Sequence, residues 1–358
     1  MPLTLISSPR FADHVTPPGH PERVERADVL DVVADRWRAR GGRVIEPREA
    51  TREELARVHE EAYLDALEAT RGRAVMLDPD TFTSPQSLAV AALAAGAALS
   101  GLEAILQDGR AAAKDDGQVA AAAHSHRRAL ALVRPPGHHA EAGRAMGFCL
   151  HNNVAVAAAA ALAAGLDRVA IVDYDVHHGN GTQHSFYRDS RVLFVSTHQY
   201  PFYPGTGAAG ETGEGDGRGF TVNVPLESGC TDGDYALVCD RVIVPVLDEF
   251  APELLLVSAG FDAHERDPLA HMRMSAAGFG ALTARLAAAA DRHAGGRLLL
   301  VTEGGYDLPA FGESLDVVVR VLAGEPVPEL HEGAGPTGRG ATAVHAVRDA
   351  QAGRWHAL

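Results

Sequence analysis

Short apolar runs alternate with longer segments of helical periodicity along most of this chain. The runs are rich in branched residues and too short for helices, so they predict strands over 3–6, 44–45, 129–133, 169–172, 192–196, 254–257 and 298–301. The longer segments predict helices over 26–40, 51–68, 86–107, 152–164, 235–249 and 275–293. Strands that alternate with helices are typical of an α/β fold with a mostly parallel central sheet.

Polar and reactive side chains follow several predicted strands at the point where each strand ends. Asp175 and His177 follow the run 169–172, and they project side by side because residues two apart in an extended chain point the same way. The residues that follow other strands in this way are His138, His139, Asp262 and Tyr306. In parallel sheets, ligands bind beyond the carboxyl ends of the strands. The pattern therefore predicts one functional site at this edge of the sheet.

Two aspartates and a histidine are a ligand set that suits a catalytic zinc ion. Asp175 and His177 supply two ligands, and Asp262 at the end of another strand supplies the third, which leaves a coordination position open. A water in that position would have its pKa lowered to roughly 7 and would become a nucleophile at neutral pH. Taken alone, the motif is also compatible with a strand end whose polar groups are satisfied within the protein.

The residues around this ligand set predict acid–base chemistry. His138 and His139 are candidates for the base that takes the proton of the water. Asp173 and Asn180 flank the ligands and are candidates for fixing the orientation of these histidines. Tyr306 follows two glycines and is a candidate donor to a carbonyl oxygen. A surface loop is an alternative, less favoured explanation of the adjacent histidines, and a tyrosine taken alone is ordinarily a core residue. The occurrence of these residues together favours metal-assisted hydrolysis.

Composition narrows the class of protein and of partner. The chain has 358 residues, 46% of them hydrophobic, and a formal net charge of −15, which argues against direct nucleic-acid binding and favours a cationic substrate. Its cysteines lack a CxxC spacing and predict a reducing compartment without disulfides. The start of the chain does not resemble a signal peptide, and the apolar stretch 88–102 is too short for a membrane span, so a cytoplasmic protein without membrane contact is expected.

No change in composition divides the chain before about residue 325. We therefore expect one catalytic domain over 1–324 and a peripheral C-terminal tail, or short helix, over 325–358, which is rich in glycine, proline and alanine. The polar stretch 108–117 is expected to be exposed.

Eight motifs of this sequence resemble one known family. They are HPERVER (20–26), LDPDTFTSP (77–85), RPPGHHA (134–140), MGFCLHNNVA (146–155), DYDVHHGNGTQ (173–183), YPGTG (203–207), SAGFDAHERDPLA (258–270) and EGGYD (303–307). The chain resembles the histone deacetylase and acetylpolyamine amidohydrolase superfamily, and within it the bacterial class II-like amidohydrolases. The motifs follow the order of the family from about residue 14 to residue 310.

The resemblance implies a fold and a role for each matching residue. The fold would be the arginase/deacetylase-like three-layer α/β/α sandwich. Asp175, His177 and Asp262 would bind zinc. The catalytic group would be His139 as general base and acid with its partner Asn180, His138 with its partner Asp173, and Tyr306 polarising the scissile carbonyl. The substrate channel would include Phe148, Tyr203, Leu269, Asp80 and, around an inner cavity, Arg26. A structural potassium ion would be held partly by Asp173, Asp175, His177, Ser196 and Thr197.

Several functions remain open at this point. A zinc-dependent deacetylase acting on acetyl-lysine is favoured, with an acetylpolyamine deacetylase as the alternative. At the channel rim a polyamine enzyme would be expected to carry an acidic residue, whereas this chain has Leu269. An arginase-like binuclear manganese hydrolase would need further aspartates where the chain has Tyr174 and Val176. A non-catalytic binding scaffold is also conceivable, and a homo-oligomer is possible.

Overall fold

A central sheet of parallel strands organises the protein, whose structure is a computed structural model that describes residues 3–112, 127–330 and 333–358. The strands of this sheet are β1 (Leu3–Ile6), β2 (Arg43–Ile45), β5 (Arg128–Ala131), β6 (Val169–Asp173), β7 (Val192–Gln199), β8 (Thr221–Leu226), β9 (Leu254–Ala259) and β10 (Leu298–Thr302). Their order is β2-β1-β5-β10-β9-β6-β7-β8, and every pairing is parallel. The predicted α/β fold with a mostly parallel sheet is confirmed.

Helices cover both faces of the sheet and complete the three layers. They are α1 (Glu25–Ala39), α2 (Arg52–Leu55), α3 (Glu61–Glu68), α4 (Ser87–Ala112), α5 (Asn153–Ala163), α6 (Asn180–Phe186), α7 (Asp232–Val238), α8 (Val244–Phe250), α9 (Ala276–His293), α10 (Leu308–Leu322) and α11 (Arg339–Ala350). Strand β6 shows the division: Val169 and Ile171 belong to the core under α4 and α5, whereas Ala170 and Val172 belong to the core under α9 and α10. Alternate side chains of one strand thus fill two cores.

The predicted helix over 51–68 is wrong in extent, because the structure has two short helices there, α2 and α3. The Thr51 capping box starts α2 as the sequence indicates. Helix α2 ends at Leu55. Shortly after it, His59 Nδ1 lies 3.0 Å from the carbonyl oxygen of Glu141, and His59 Nε2 accepts the Asn152 N–H at 3.0 Å. The chain between the helices forms a turn, in which the Val58 and His59 N–H groups donate to the Leu55 carbonyl oxygen, and the His59 contacts hold this turn in place.

The predicted helix over 235–249 is interrupted by a wider turn. Helices α7 and α8 are joined by the π-helical turn Cys239–Ile243, and Pro245 lies in the first turn of α8. Proline has no N–H, and its ring crowds the carbonyl oxygen four residues earlier, so a wider turn at this position relieves the clash.

Other elements are absent from the sequence-based prediction. Strand β8, helix α10 and the antiparallel hairpin of β3 (Val75–Asp78) and β4 (Thr81–Thr83) are observed, although 77–85 had been expected to be a loop. The predicted exposed stretch 108–117 falls outside the described residues, apart from the helical backbone up to Ala112.

The C-terminal helix α11 packs against α7 and strand β8. The side chain of Gln351 donates to the carbonyl oxygen of Thr221 at 2.7 Å, and the Trp355 indole donates to that of Gly219 at 2.9 Å. Val344 and Val347 of this helix are buried in the core shared with α9 and α10. The division into a domain over 1–324 and a peripheral tail stays a prediction.

Within the described residues, the segment Ser87–Gln107 of α4 is long and apolar enough to cross a membrane, with a mean hydropathy of 1.8. In the structure, however, 83% of the most apolar stretch of this segment is buried inside the protein. A buried core helix passes the same test of length and composition, and α4 packs on α5 and β5.

Candidate active site

A narrow cavity of about 80 Å³ opens at the carboxyl ends of the central strands. The residues that line it are Asp80, Pro136, His138, His139, Gly147, Phe148, His177, Tyr203, Leu269 and Tyr306. Segments far apart in sequence meet here because every strand of the parallel sheet delivers its following loop to the same edge. The structure therefore brings together most of the residues predicted to form the site.

Asp175, His177 and Asp262 form a compact carboxylate–histidine cluster next to this cavity. One potential ligand atom from each of them lies within 4.8 Å of the other two. The Nδ1 atom of His177 is 3.2 Å from Asp175 Oδ1 and 3.0 Å from Asp262 Oδ2. Burial and the charge of Asp175 raise the pKa of Asp262, which is the cost of bringing two carboxylates together away from water.

Backbone N–H groups hold both carboxylates in place, and Asp175 Oδ1, which faces the His177 ring, also accepts the His177 N–H at 2.9 Å. Asp175 Oδ2 accepts the Gly304 N–H at 2.8 Å, and Asp262 Oδ1 accepts the Val176 N–H at 2.9 Å. A side chain on Gly304 would place its Cβ 2.2 Å from Asp262 Oδ2, so only glycine permits this approach. Two oxygens and one imidazole nitrogen, each oriented toward a common point, fit a divalent metal such as zinc.

His138 lies against two carboxylates. Its Nδ1 is 2.9 Å from Asp173 Oδ2, and its Nε2 is 3.7 Å from Asp175 Oδ1. Burial alone would lower the pKa of His138, but the charges of these carboxylates outweigh burial and raise it well above its ordinary value. The two carboxylates therefore favour the protonated form of His138.

His139 has a different environment, although it is the next residue. Its Nδ1 lies 2.7 Å from Asn180 Oδ1 at the start of α6, and its ring meets that of Tyr203 edge to face. Burial and the nearby charges of His138 and His177 hold the pKa of His139 well below its usual range. A neutral imidazole with its Nδ1–H bound to Asn180 presents a free Nε2, which is the state that a general base requires.

Tyr306 lines the same cavity and is held in place by its backbone. Its N–H donates to Asp267 Oδ2 at 2.6 Å, and Gly305 before it has a φ of +126°, a conformation open to glycine. The ring of Phe148 contacts the Tyr306 ring edge to face. The Arg26 guanidinium lies 5.2 Å from the centre of the Tyr306 ring and does not line the cavity.

The outer part of the cavity is formed by side chains of four separate loops. Tyr203 is 36% exposed and Leu269 is half-buried at the rim. Phe148 adopts a φ of 70°, which is unusual for a residue with a side chain, and its N–H donates to Thr81 Oγ1 at 3.0 Å. Asp80 lies in the hairpin turn between β3 and β4, where burial and Asp78 raise its pKa.

Comparison with known proteins places the chain among the deacetylases. The model of the histone deacetylase domain matches residues 20–322.

The chain belongs to the histone deacetylase family.

Relatives that are 38–44% identical to this chain come from very different organisms. The chain is 39% identical to a probable deacetylase of Archaeoglobus fulgidus, over 85% of this chain and 81% of that protein. It is 44% identical to a histone deacetylase-like amidohydrolase of Pseudomonas aeruginosa, over 72% of this chain and 64% of that protein. It is 38% identical to the human polyamine deacetylase HDAC10, over 94% of this chain and 50% of that protein.

The solved structure of the HDA15 HD domain has the same fold. The two chains are 36% identical and superpose with a TM-score of 0.86, covering 99% of this chain and 96% of the other. The deacetylase-like sandwich predicted from the motifs is therefore confirmed.

Several buried charged residues were missed as site residues by the sequence-based prediction. Glu303 at the end of β10 accepts the N–H groups of Gly137 at 2.6 Å and His138 at 3.2 Å, and burial raises its pKa to about 7. It holds the loop that carries the histidine pair. Asp267 holds Tyr306 in a similar way, by accepting its N–H, and burial raises the pKa of Asp267 to about 7. Both residues occur in the quoted motifs, but nothing in their spacing distinguishes them from surface acids.

Glu22, Arg26, Arg134 and His14 form a second buried group, the Glu22 cluster, behind Tyr306. Arg134 binds both oxygens of Glu22, at 2.7 and 2.8 Å, and Arg26 binds one of them at 3.0 Å. Arg26 also donates to the carbonyl oxygens of Glu303 and Gly305 at 2.5 and 2.9 Å. The Glu22 cluster thus anchors the loop before Tyr306 to helix α1.

Proposed function

We propose that this protein is a zinc-dependent amidohydrolase that removes the acetyl group from acetyl-lysine. The observation that carries the proposal is the meeting of the carboxylate–histidine cluster, the histidine pair and Tyr306 around one narrow cavity. Membership of the deacetylase family supports hydrolysis of an acylated amine.

The proposed zinc ligands are Asp175, His177 and Asp262. Zinc in such a site activates water as a nucleophile near neutral pH and polarises a carbonyl group. The single group of candidate ligands found among the described residues fits one ion better than two. Tyr174 and Val176, where a binuclear site would need carboxylates, are buried in the core.

In the proposed reaction, His139 and Tyr306, which both line the cavity, act on the substrate. His139 accepts the proton of the attacking water at Nε2 and returns it to the leaving amine, so that amide and water become carboxylate and amine. The Tyr306 hydroxyl donates a hydrogen bond to the oxygen that becomes negative. His138, whose protonated form Asp173 and Asp175 favour, also lines the cavity and would stabilise that negative charge.

The residues that line the cavity suit a long, thin substrate chain. Phe148 and Tyr203 provide flat apolar walls for the methylene groups of a lysine, and Asp80 at the rim offers a carboxylate to backbone N–H groups. Leu269 at the same rim is uncharged and gives no counter-charge to a second amine. A second candidate, deacetylation of a polyamine, is favoured by the similarity to the human polyamine deacetylase.

A further part of the proposal is a structural potassium ion beside the sheet. Asp173 pairs in register with Ser196 on β7, and Thr197 Oγ1 lies 3.5 Å from the carbonyl oxygen of Asp173. Asp175 and His177 follow on the same turn of chain. Carbonyl, hydroxyl and carboxylate oxygens are the ligands that hard cations prefer.

The test compares kcat/KM of the zinc-loaded protein for an acetyl-lysine peptide and for acetylated spermidine. We expect a preference for the peptide. In Leu269→Glu, acetylated spermidine should gain relative to the peptide, whereas Leu269→Gln, which is matched in size, should leave the ratio unchanged. A wild-type preference for acetylated spermidine would replace the first candidate by the second, and hydrolysis of neither substrate would contradict both.

A further inference from the structure

Asn180, the partner of His139, is itself held by a carboxylate. Its Nδ2 donates to Glu141 Oε1 at 2.5 Å. The same nitrogen lies 3.4 Å from two further acceptors, the backbone oxygen of His139 and the sulfur of Met146. All three partners accept hydrogen bonds, so the amide nitrogen must face them and the amide oxygen must face His139. The orientation of Asn180 therefore follows from the chemistry of its neighbours.

The orientation of this amide determines which nitrogen of His139 carries the proton. Asn180 Oδ1, 2.7 Å from His139 Nδ1, can only accept, so Nδ1 carries the hydrogen and Nε2 keeps its lone pair toward the cavity. A reversed amide would point an N–H donor at His139 Nδ1. This would favour the tautomer that carries its hydrogen on Nε2. The carboxylate that opposes such a reversal is Glu141.

Glu141 is well placed to act on Asn180 from behind. Its side chain is 13% exposed, and its backbone is fixed at both ends, since its N–H donates to Arg144 and its carbonyl oxygen contacts His59 Nδ1 at 3.0 Å. On the solvent side its oxygens lie 2.8 and 2.9 Å from His184 Nδ1. A continuous chain of hydrogen bonds thus runs from His139 through Asn180 and Glu141 to His184 on helix α6.

We propose that Glu141 is a positioning residue for His139, fixing the Asn180 amide and supplying, through it, the negative charge that the amide lacks. His138 has its carboxylate in direct contact, at Asp173. His139 has an amide in contact and the carboxylate one side chain further away. The inference rests on the proposed role of His139 as base, and it names the residue that keeps that base in its working tautomer.

Exchanging the amide at position 180 and the carboxylate at position 141 tests the proposal. Asn180→Asp puts a carboxylate beside Glu141, where the two groups would lie at hydrogen-bond distance and repel each other. We expect kcat/KM to fall about tenfold or more, as is usual when a residue that orients a functional histidine is changed. Adding Glu141→Gln to this variant removes the repulsion and leaves one carboxylate, at position 180, in contact with His139. Activity should therefore recover to within about threefold of the wild type.

Glu141→Leu and a surface variant complete the design. Glu141→Leu should lower kcat about tenfold with little change in KM, because the group acts through the base and does not touch the substrate. Glu214→Gln removes an exposed carboxylate that pairs with Arg188, and it should change neither constant. An Asn180→Asp/Glu141→Gln double variant no more active than Asn180→Asp would overturn the proposal.

A spectroscopic readout separates this inference from the proposed function. In nitrogen-15 spectra of the zinc-free protein, the Nδ1–H signal of His139, assigned by its loss in His139→Gln, should be present in the wild type. In Glu141→Leu it should shift or exchange rapidly with solvent, and a signal unchanged in that variant would contradict the inference. This result stands whether or not the protein hydrolyses acetyl-lysine.

Discussion

The carboxylate–histidine cluster and the Glu22 cluster are both buried and both contain carboxylates, yet the charges of these carboxylates are balanced in opposite ways. In the Glu22 cluster, two arginines bind one carboxylate, and although burial opposes it, their charges lower the pKa of Glu22. In the carboxylate–histidine cluster, two carboxylates face one imidazole. Their repulsion, together with burial, raises the pKa of Asp262.

The difference separates a structural ion group from a functional one. The Glu22 cluster contains its own counter-ions, so it is complete in the folded chain and should matter chiefly for stability. The carboxylate–histidine cluster is incomplete until a cation binds, so it should matter chiefly for activity. The same chemical change, carboxylate to amide, should therefore have opposite consequences in the two places.

The largest effect is expected for Asp262→Asn. Loss of a proposed zinc ligand should lower kcat/KM by about 10⁴-fold, the equivalent of several kcal/mol of transition-state stabilisation. Because a like charge is removed, the free energy of unfolding of the zinc-free protein should stay unchanged or rise. Kinetics, metal analysis and urea denaturation with chelator measure these effects. A variant that kept both zinc and activity would show that the ligand assignment is wrong.

Glu22→Gln should have the converse effect. It leaves Arg26 and Arg134 buried without their carboxylate, so the free energy of unfolding should fall by about 3–5 kcal/mol. Urea denaturation measures the loss. The control is Glu49→Gln, which breaks the exposed pair with Arg10 and should cost about 0–1 kcal/mol. If Glu22→Gln and Glu49→Gln lost equal amounts of unfolding free energy, burial of the ion group would not explain its contribution to stability.

Acid should weaken the Glu22 cluster through His14. Burial lowers the pKa of His14 from 6.5 to about 4, despite the opposing charge of Glu22. Between pH 6.5 and pH 4 the unfolded chain binds a proton at His14 that the folded protein does not. The free energy of unfolding should therefore fall as the pH falls through this range, by about 3 kcal/mol from this residue.

His14→Gln isolates that contribution. Glutamine can still contact Ser87, whose hydroxyl lies 2.7 Å from His14 Nδ1, but it does not titrate. Urea denaturation at several pH values between 7 and 4 should show a shallower pH dependence in the variant. The same dependence in both proteins would mean that other groups cause the acid sensitivity.

The smallest effect is the one that zinc should have on stability. Zinc at about 100 times its dissociation constant should raise the free energy of unfolding by about 2.7 kcal/mol, since it binds the folded state. A thermal shift with and without zinc measures this gain. Asp262→Asn should lose the gain and Glu22→Gln should retain it, so zinc stabilisation of Asp262→Asn would place the ion elsewhere.

The sequence was sufficient for the parts of the fold that depend on local pattern. Buried strands such as β6 are continuous apolar runs, and the residues just after them must lie at one edge of a parallel sheet. This reasoning predicts that Asp175, His177 and Asp262 lie together at that edge. Their geometry agrees with the prediction, although their catalytic roles stay proposals.

Features that depend on contacts between distant segments could not be predicted in this way. The break between α2 and α3 depends on His59 meeting the backbone near Glu141, some eighty residues away in sequence. The roles of Glu22 and Glu303 likewise depend on burial, and an isolated acid in a sequence carries no sign of being buried. Arg26 was expected beside an inner cavity, but its donors are taken by Glu22 and backbone oxygens.

The two ends of the chain cover two strands of the central sheet, β5 and β8. Strand β1 covers β5 on one side, and Gln351 and Trp355 after α11 bind backbone oxygens beside and within the outermost strand β8 on the other. A chain trimmed to the residues that match the family domain, 20–322, would lose both covers and expose β5 and β8 as unpaired edges. Such edges are templates for intermolecular β-pairing. Trimming should therefore promote aggregation, even with every residue of the proposed active site still present.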